Sequence, residues 1–284
     1  MKNLSDINVV KDVMGRHGFT FSKALGQNFI INPAVCPRIA EEGGARAGVG
    51  ALEIGAGVGV LTAELAKRAD KVVCIELDTR LLPVLDETLA DFDNVTIINE
   101  DVLKADLDKI VKEQFGDMPF VVCANLPYYI TSPIVMSLLS MKLPVKSLTV
   151  MVQKEAAERI CAEVGSRAAG AVTAAVCYYS EPQVLFNVDR TCFLPSPKVD
   201  SAVIKLNLSE KPPVDVKDEE FFFKVIKACF AQRRKTLLNT VSNTMNIEKE
   251  KIKAVLNKME LDESIRGETL NLEQLARLSN ELLK

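Results

Sequence analysis

The chain has 284 residues, of which 48% are hydrophobic and 26% charged, with a formal net charge of −3. This is the composition of a soluble globular protein with room for a large and a small domain; it excludes low-complexity disorder and a polycationic nucleic-acid binder, so any RNA contact must come from local patches. One histidine, His17, excludes two-histidine metal sites and reads as a surface residue rather than a base, while seven cysteines without a C-x-x-C pair read as buried reduced thiols, so no metal is expected.

The N-terminus lacks both a secretory apolar core and the Arg-rich character of a transit peptide, and no apolar run approaches the roughly 18 residues of a membrane span. A cytoplasmic protein away from membranes is the expectation. Ser5 is placed to cap a first helix carrying Ile7, Val10, Val13 and Met14 on one face, ending near Gly15 and Gly18. The stretch FSKALGQNFIINP follows; its Lys23, Gln27 and Asn28 serve either a cofactor clamp or an ordinary surface loop. A helix from Pro33 to about Glu42 leads to a strand at Ala51–Ile54, a glycine loop and a helix at Val60–Arg68. Strands are then predicted at Lys71–Glu76, Val95–Asn99, Phe120–Ala124 and Ser147–Gln153, with helices at Arg80–Asp91, Asp106–Phe115, Pro133–Met141 and Lys154–Val164. Two more strands fall at Gln183–Val188 and Ser201–Leu208. Sustained alternation of this kind predicts an α/β, doubly wound sheet with right-handed crossovers. After the polar, Pro-containing linker 209–220, helices are predicted at Glu219–Val241, Glu248–Met259 and Leu272–Leu283, the last with an Asn271/Gln274 capping box. The expected organisation is an α/β domain over 1–208 and a small all-helical domain over 209–284.

The strand Ala51–Ile54 runs into Gly55, Gly57 and Gly59, so a ligand can lie directly against the main chain. Val60 stands where a dinucleotide-binding loop has its third glycine. Glu76 ends the next strand about 20 residues on, where an acid accepts ribose hydroxyls, and Asp101 follows the third strand, where it can accept from an adenine amino group. Singly, each acid reads as an exposed strand end. At successive strand ends, they favour an adenosine-containing cofactor.

The fourth strand ends in Asn125-Leu126-Pro127-Tyr128. The exocyclic amine of adenine is a poor nucleophile, because its lone pair is delocalised into the ring. The Asn125 side-chain oxygen and the Leu126 carbonyl can accept hydrogen bonds from that amine and favour a localised lone pair without a general base. Pro127 stiffens the turn, and Tyr128 offers an aromatic face for a flipped-out base.

Together these features resemble the S-adenosylmethionine-dependent adenine-N6 methyltransferases, and more closely the ribosomal RNA adenine dimethyltransferases. KALGQNF (23–29), FLPSPKVDSAV (193–203) and QRRKTL (232–237) resemble that family's N-terminal motif, its F-x-P-x-P-K-V-x-S signature and the basic helix of its small-subunit branch. The resemblance implies a Rossmann-like methyltransferase sheet and S-adenosylmethionine as cofactor. Asn28, Ile30, Gly55, Gly57, Glu76, Asp101 and Asn125 would line that cofactor, and Phe193 would stack on the target base opposite Tyr128. It also implies RNA contacts at Lys23, Lys198, Arg233, Arg234 and Lys235. The implied reaction is dimethylation of two adjacent adenosines near the 3′ end of 16S RNA in the small ribosomal subunit, by a monomer that also serves subunit assembly. Three other readings are a large-subunit RNA methylase of the erythromycin-resistance type, a non-catalytic assembly factor, and a nucleotide-dependent oxidoreductase.

Overall fold

A computed structural model describes residues 4–22, 26–141 and 144–284. In chain order the elements are α1 (Ile7–Arg16), β1 (Phe29–Ile30), α2 (Val35–Gly43), β2 (Gly50–Ile54), α3 (Val60–Ala66), β3 (Lys71–Glu76), α4 (Leu82–Thr88), β4 (Val95–Asn99) and α5 (Leu107–Phe115). They continue with β5 (Phe120–Asn125), α6 (Thr131–Ser140), β6 (Val145–Gln153), α7 (Lys154–Ile160), α8 (Ala171–Tyr179), β7 (Ser180–Val188), β8 (Phe193–Leu194) and β9 (Ser201–Leu208). The last four helices are α9 (Glu219–Phe230), α10 (Leu237–Met245), α11 (Lys249–Lys258) and α12 (Leu272–Leu282). Two compact units result: residues up to Ala157 with Gln183–Leu208, and Glu158–Pro182 with Ser209–Lys284. No helix among the described residues is long and apolar enough to cross a membrane.

In the first unit a seven-stranded sheet has the order β4-β3-β2-β5-β6-β9-β7, and a separate two-residue ladder pairs β1 with β8. The apolar runs GALEI, KVVCIE and FVVCAN become β2, β3 and β5, buried along nearly their whole length as central parallel strands require. From β2 the chain winds outward through β3 to β4, then crosses back to place β5 on the other side of β2. The crevice outside the carboxyl ends of β2, β3 and β5 is therefore a topological switch point, where such sheets bind ligands.

The sheet is mixed, within the α/β fold that the strand–helix alternation predicts. β9 runs antiparallel to β6, pairing Ser147 with Asn207 and Gln153 with Ser201. Between β7 and β9 the chain forms only a short 3-10 turn and β8, so the helical crossover that a parallel connection needs is missing. Helix α1 is capped by Asp6, whose carboxylate accepts from the Asn8 N–H, rather than by Ser5.

The second unit takes in residues 158–182, placed with the sheet domain by the sequence pattern. Helix α8, AVTAAVCYY, has no polar face to betray its period, and its Ala174 and Tyr178 are buried with Phe222 and Val225 of α9 in one helical core. Tyr178, Tyr179, Phe222 and Phe223 pack ring against ring, and the Tyr179 hydroxyl donates to Glu219 at 2.7 Å. The expected helix Glu219–Val241 breaks after Phe230; residues 231–236 are a turn, and Thr236 caps the new helix α10 by accepting from the Asn239 N–H. QRRKTL is thus a turn leading into α10 and not a basic helix. The Asn271/Gln274 capping box forms in both directions, at 2.8 and 3.0 Å.

Two features yield tests. A Cβ on Gly267 would stand 2.5 Å from the Cys229 carbonyl oxygen, a backbone atom that cannot move aside cheaply. Gly267→Ala is expected to cost about 1–3 kcal/mol in urea unfolding, whereas Gly15→Ala, with nothing within 4 Å, costs nothing. The second feature is Glu53, the one acid of β2 and only 1% exposed. Its Oε2 accepts from the Cys74 thiol at 3.3 Å. Burial raises its carboxyl from 4.5 to about 7, opposed by hydrogen bonds from Thr62 and Cys74 and reinforced by the charge of Glu76. A raised carboxyl pKa contributes stability that is full below about 4.5 and fades as pH climbs to about 7, on the order of 3 kcal/mol in all. Glu53→Gln carries no such titration. Relative to the wild type, its stability should improve by that amount between pH 4.5 and 7 and then level off, as read by urea midpoints along a pH series.

Candidate active site

The glycine loop shows why three alternate glycines are used. Gly55, Gly57 and Gly59 all have positive φ, at 80°, 59° and 87°. A Cβ on Gly55 would meet nothing within 4 Å, so its missing side chain leaves open space for a ligand against the backbone. A Cβ on Gly57 would lie 3.2 Å from the Phe29 ring, so this glycine admits the N-terminal segment to the site.

Glu76 is 6% exposed, and each carboxylate oxygen accepts one main-chain N–H: Oε2 from Gly57 at 3.0 Å and Oε1 from Asp78 at 2.9 Å. Burial nevertheless raises its pKa, with backbone hydrogen bonds from Asp78, Gly57 and Leu77 pulling the other way. The carboxylate keeps acceptor capacity for a further donor. Asp78 continues the chain of contacts. Its Oδ2 accepts from the Gln27 amide at 2.7 Å and from Arg80 at 2.6 Å, and Gln27 Oε1 accepts from the Ser22 N–H at 2.8 Å. The Arg80 guanidinium holds the Asp78 carboxyl below its usual value and sits 5.2 Å over the Phe19 ring.

Glu76 and the glycine loop stand beside a cleft that encloses about 830 Å³ of non-protein space, open mouth included. Gly55, Gly57, Glu76, Asp101, Asn28 and Asn125 line it, with Ile75, Leu77, Leu81, Val102 and Ile134 as apolar walls. Asp101 Oδ1 accepts from the Leu103 N–H at 3.0 Å, and its other oxygen lies 3.8 Å from the Lys104 ammonium. A glycine cradle, a half-satisfied buried carboxylate and apolar walls for a planar base together match the chemistry of an adenosine group. The donor set therefore fits S-adenosylmethionine.

Asn125 stands at the end of β5, where its Nδ2 donates to the Asn28 main-chain oxygen at 3.1 Å. That bond fixes the amide, leaving Oδ1 as the acceptor end. The Leu126 N–H donates to the Met151 carbonyl at 3.1 Å. Pro127 opens a 3-10 turn, Tyr128–Ile130, which places Tyr128 and Tyr129 on the cleft wall. The Tyr128 hydroxyl shares a 2.6 Å hydrogen bond with Ser201 Oγ; burial raises its pKa, with the Ser201 bond pulling the other way.

Not every residue singled out in the sequence gathers here. Phe193, 2% exposed, is a core residue opposite Ile30 in the β1–β8 ladder and does not line the cleft. Ile30, 4% exposed, lines a smaller cavity behind the glycine loop together with Glu53 and Asn125. Arg233 is exposed and engaged within the second unit, on Glu268 and on the carbonyls of Arg167 and Ala169. Lys198, Arg234 and Lys235 are exposed, and Lys23 lies outside the described residues. His17 pairs with Glu87 at 2.8 Å, tying the end of α1 to α4. Gln27, named in the sequence as a clamp candidate, lines the cleft, whereas Leu77, Val102 and Glu53 were not singled out. An acid inside an apolar strand just before a glycine loop was the available signal for Glu53; the others carry none that spacing reveals.

A sequence model of the family described as ribosomal RNA adenine dimethylase matches residues 18–278. Proteins named ribosomal RNA small subunit methyltransferase A, from Bacillus mycoides (strain KBAB4) and Bacillus cereus (strain B4264), are each 49% identical over 100% of this chain and 98% of their own length. Among solved structures, the 23S rRNA methyltransferase ErmE aligns with TM-score 0.67 and 28% identity, covering 90% of this chain and 100% of that one. A dimethyladenosine transferase from Plasmodium falciparum aligns with TM-score 0.70 and 25% identity, covering 88% and 95%. With that match spanning both units, the chain belongs to the ribosomal RNA adenine dimethylase family, whose enzymes take their methyl groups from S-adenosylmethionine.

Proposed function

We propose that this chain dimethylates the N6 amino groups of two adjacent adenosines near the 3′ end of small-subunit ribosomal RNA. The observation that carries this reading is the orientation of Asn125 in a cleft whose other residues suit an adenosine-type donor. Relatives named for small-subunit RNA at 49% identity support that substrate over the large-subunit RNA for which ErmE, at 28%, is named. In this reading the monomer works in the cytoplasm, residues 209–284 form a helical docking domain, and exposed Lys198, Arg234 and Lys235 meet the RNA backbone.

In this assignment Glu76 takes the ribose hydroxyls on its remaining lone pairs, and Asp101 with Leu77 and Val102 takes the adenine. Asn28, Ile30, Gly55 and Gly57 line the rest. The bound cofactor supplies an electrophilic methyl carbon on a sulfonium centre. The chain's own residues prepare the nucleophile. Asn125 Oδ1 and the Leu126 carbonyl, which accepts no hydrogen bond from the described residues, accept from the N6 amine. Two acceptors set in advance stabilise positive charge as it develops on nitrogen and draw the lone pair out of the ring. Tyr128 supplies a flat wall for the base, held by Ser201. A proton shed from the methylated amine passes to water at the open mouth, so no histidine is needed.

Asn125→Ala is expected to slow methyl transfer about 10²–10³-fold, by analogy with loss of one preorganised polar partner, with donor affinity changed little. Single-turnover transfer to unmethylated subunits, alongside calorimetric titration with S-adenosylmethionine, separates the two. Wild-type transfer rates in that variant would overturn the assignment. Glu76→Ala is expected to do the reverse at the binding step, weakening donor affinity at least about tenfold in the same titration.

A further inference from the structure

One residue of the cleft serves neither the fold nor the chemistry assigned above. Tyr129 is 58% exposed and is the one aromatic residue among the large apolar side chains that stand exposed in the described chain. It shares its 3-10 turn and its cleft wall with Tyr128. Its neighbour's hydroxyl is tied down on Ser201. The ring of Tyr129 is anchored differently: its Cδ1 and Cε1 atoms lie 3.2 and 3.3 Å from where a Cβ on Gly26 would stand. One edge therefore rests on glycine backbone while the rest faces solvent, so the ring is oriented before any ligand arrives.

An oriented, exposed aromatic face beside a base-binding cleft has a defined use. When the target adenosine swings out of its stack, each neighbouring base loses a stacking partner. An aromatic side chain restores that partner without reading the base, because every base has a π-face. We propose that Tyr129 is the stacking platform for the nucleotide adjacent to the target adenosine. The inference rests on the RNA substrate given above and extends it to a second base position. Because the platform is indifferent to base identity, it serves equally when either of two consecutive adenosines occupies the cleft and the strand shifts by one nucleotide.

The test uses the full-length enzyme and unmethylated small subunits carrying a synthetic 3′ RNA segment, either intact or abasic at the 5′ or 3′ neighbour of a target adenosine. Tyr129→Ala should raise KM for intact subunits about tenfold while kcat and donor affinity stay as in the wild type, and Tyr129→Phe should restore the wild-type KM. One of the two abasic neighbours should raise the wild-type KM to the same extent and add nothing in Tyr129→Ala, since each change removes the same contact. An unchanged KM in Tyr129→Ala overturns the proposal, as does a loss that adds in full to that of both abasic neighbours. If the wild type transfers no methyl group to intact subunits, the substrate reading itself fails; if it transfers normally and only the cycle fails, the stacking role alone is lost.

Discussion

The site depends on a single buried carboxylate. Glu76 receives one N–H from the glycine loop and one from the strand end beyond it, so both oxygens work as structure before any ligand binds. Through Asp78 and Gln27 the same chain of hydrogen bonds reaches Ser22, which brings the N-terminal segment onto the sheet. Asn28, at the end of that segment, is then where its carbonyl can fix the Asn125 amide. Binding residue and orienting residue are thus positioned by one network. Two carboxylate oxygens offer about four acceptor sites, so the backbone bonds leave Glu76 the capacity for the ligand role proposed above.

How much of this was legible in the sequence differs by kind of feature. The central strands were, because doubly covered parallel strands are apolar throughout, and KVVCIE and FVVCAN match the observed spans to within a residue. The strand-end groups Glu76, Asp101 and Asn125 follow from those strands, and all three line the cleft. Helix α8 was not legible, since a helix buried on most sides has no polar stripe. Neither was the break between α9 and α10, where Arg233 turns back onto two carbonyls. Phe193 shows a further limit. Its motif is readable, but its pairing with Ile30 depends on a ladder of two residues per strand, far too short for a periodicity.

Charge tells a similar story at two scales. The chain as a whole is slightly acidic, and some of its exposed basic residues carry a paired acid. Arg80 and Arg233 are bound to Asp78 and Glu268 while remaining exposed. Pairing of this kind lowers the net positive charge that a basic triplet presents. In the proposed mechanism the corresponding economy is in acid–base groups: it calls on neutral acceptors and a protonated tyrosine, for orientation and charge stabilisation rather than proton abstraction.

The two-residue ladder between β1 and β8 also bears on the order of events during synthesis. It joins Phe29–Ile30 to Phe193–Leu194, across more than half of the chain. Every strand that carries a cofactor-facing residue has been made by Asn125, yet the N-terminal segment that orients Asn125 has its strand partner only once residue 194 has emerged. A nascent chain therefore holds the parallel core long before it holds a finished cleft, and such long-range closure is paid in loop entropy and time. The enzyme becomes competent late, when the sheet is nearly whole.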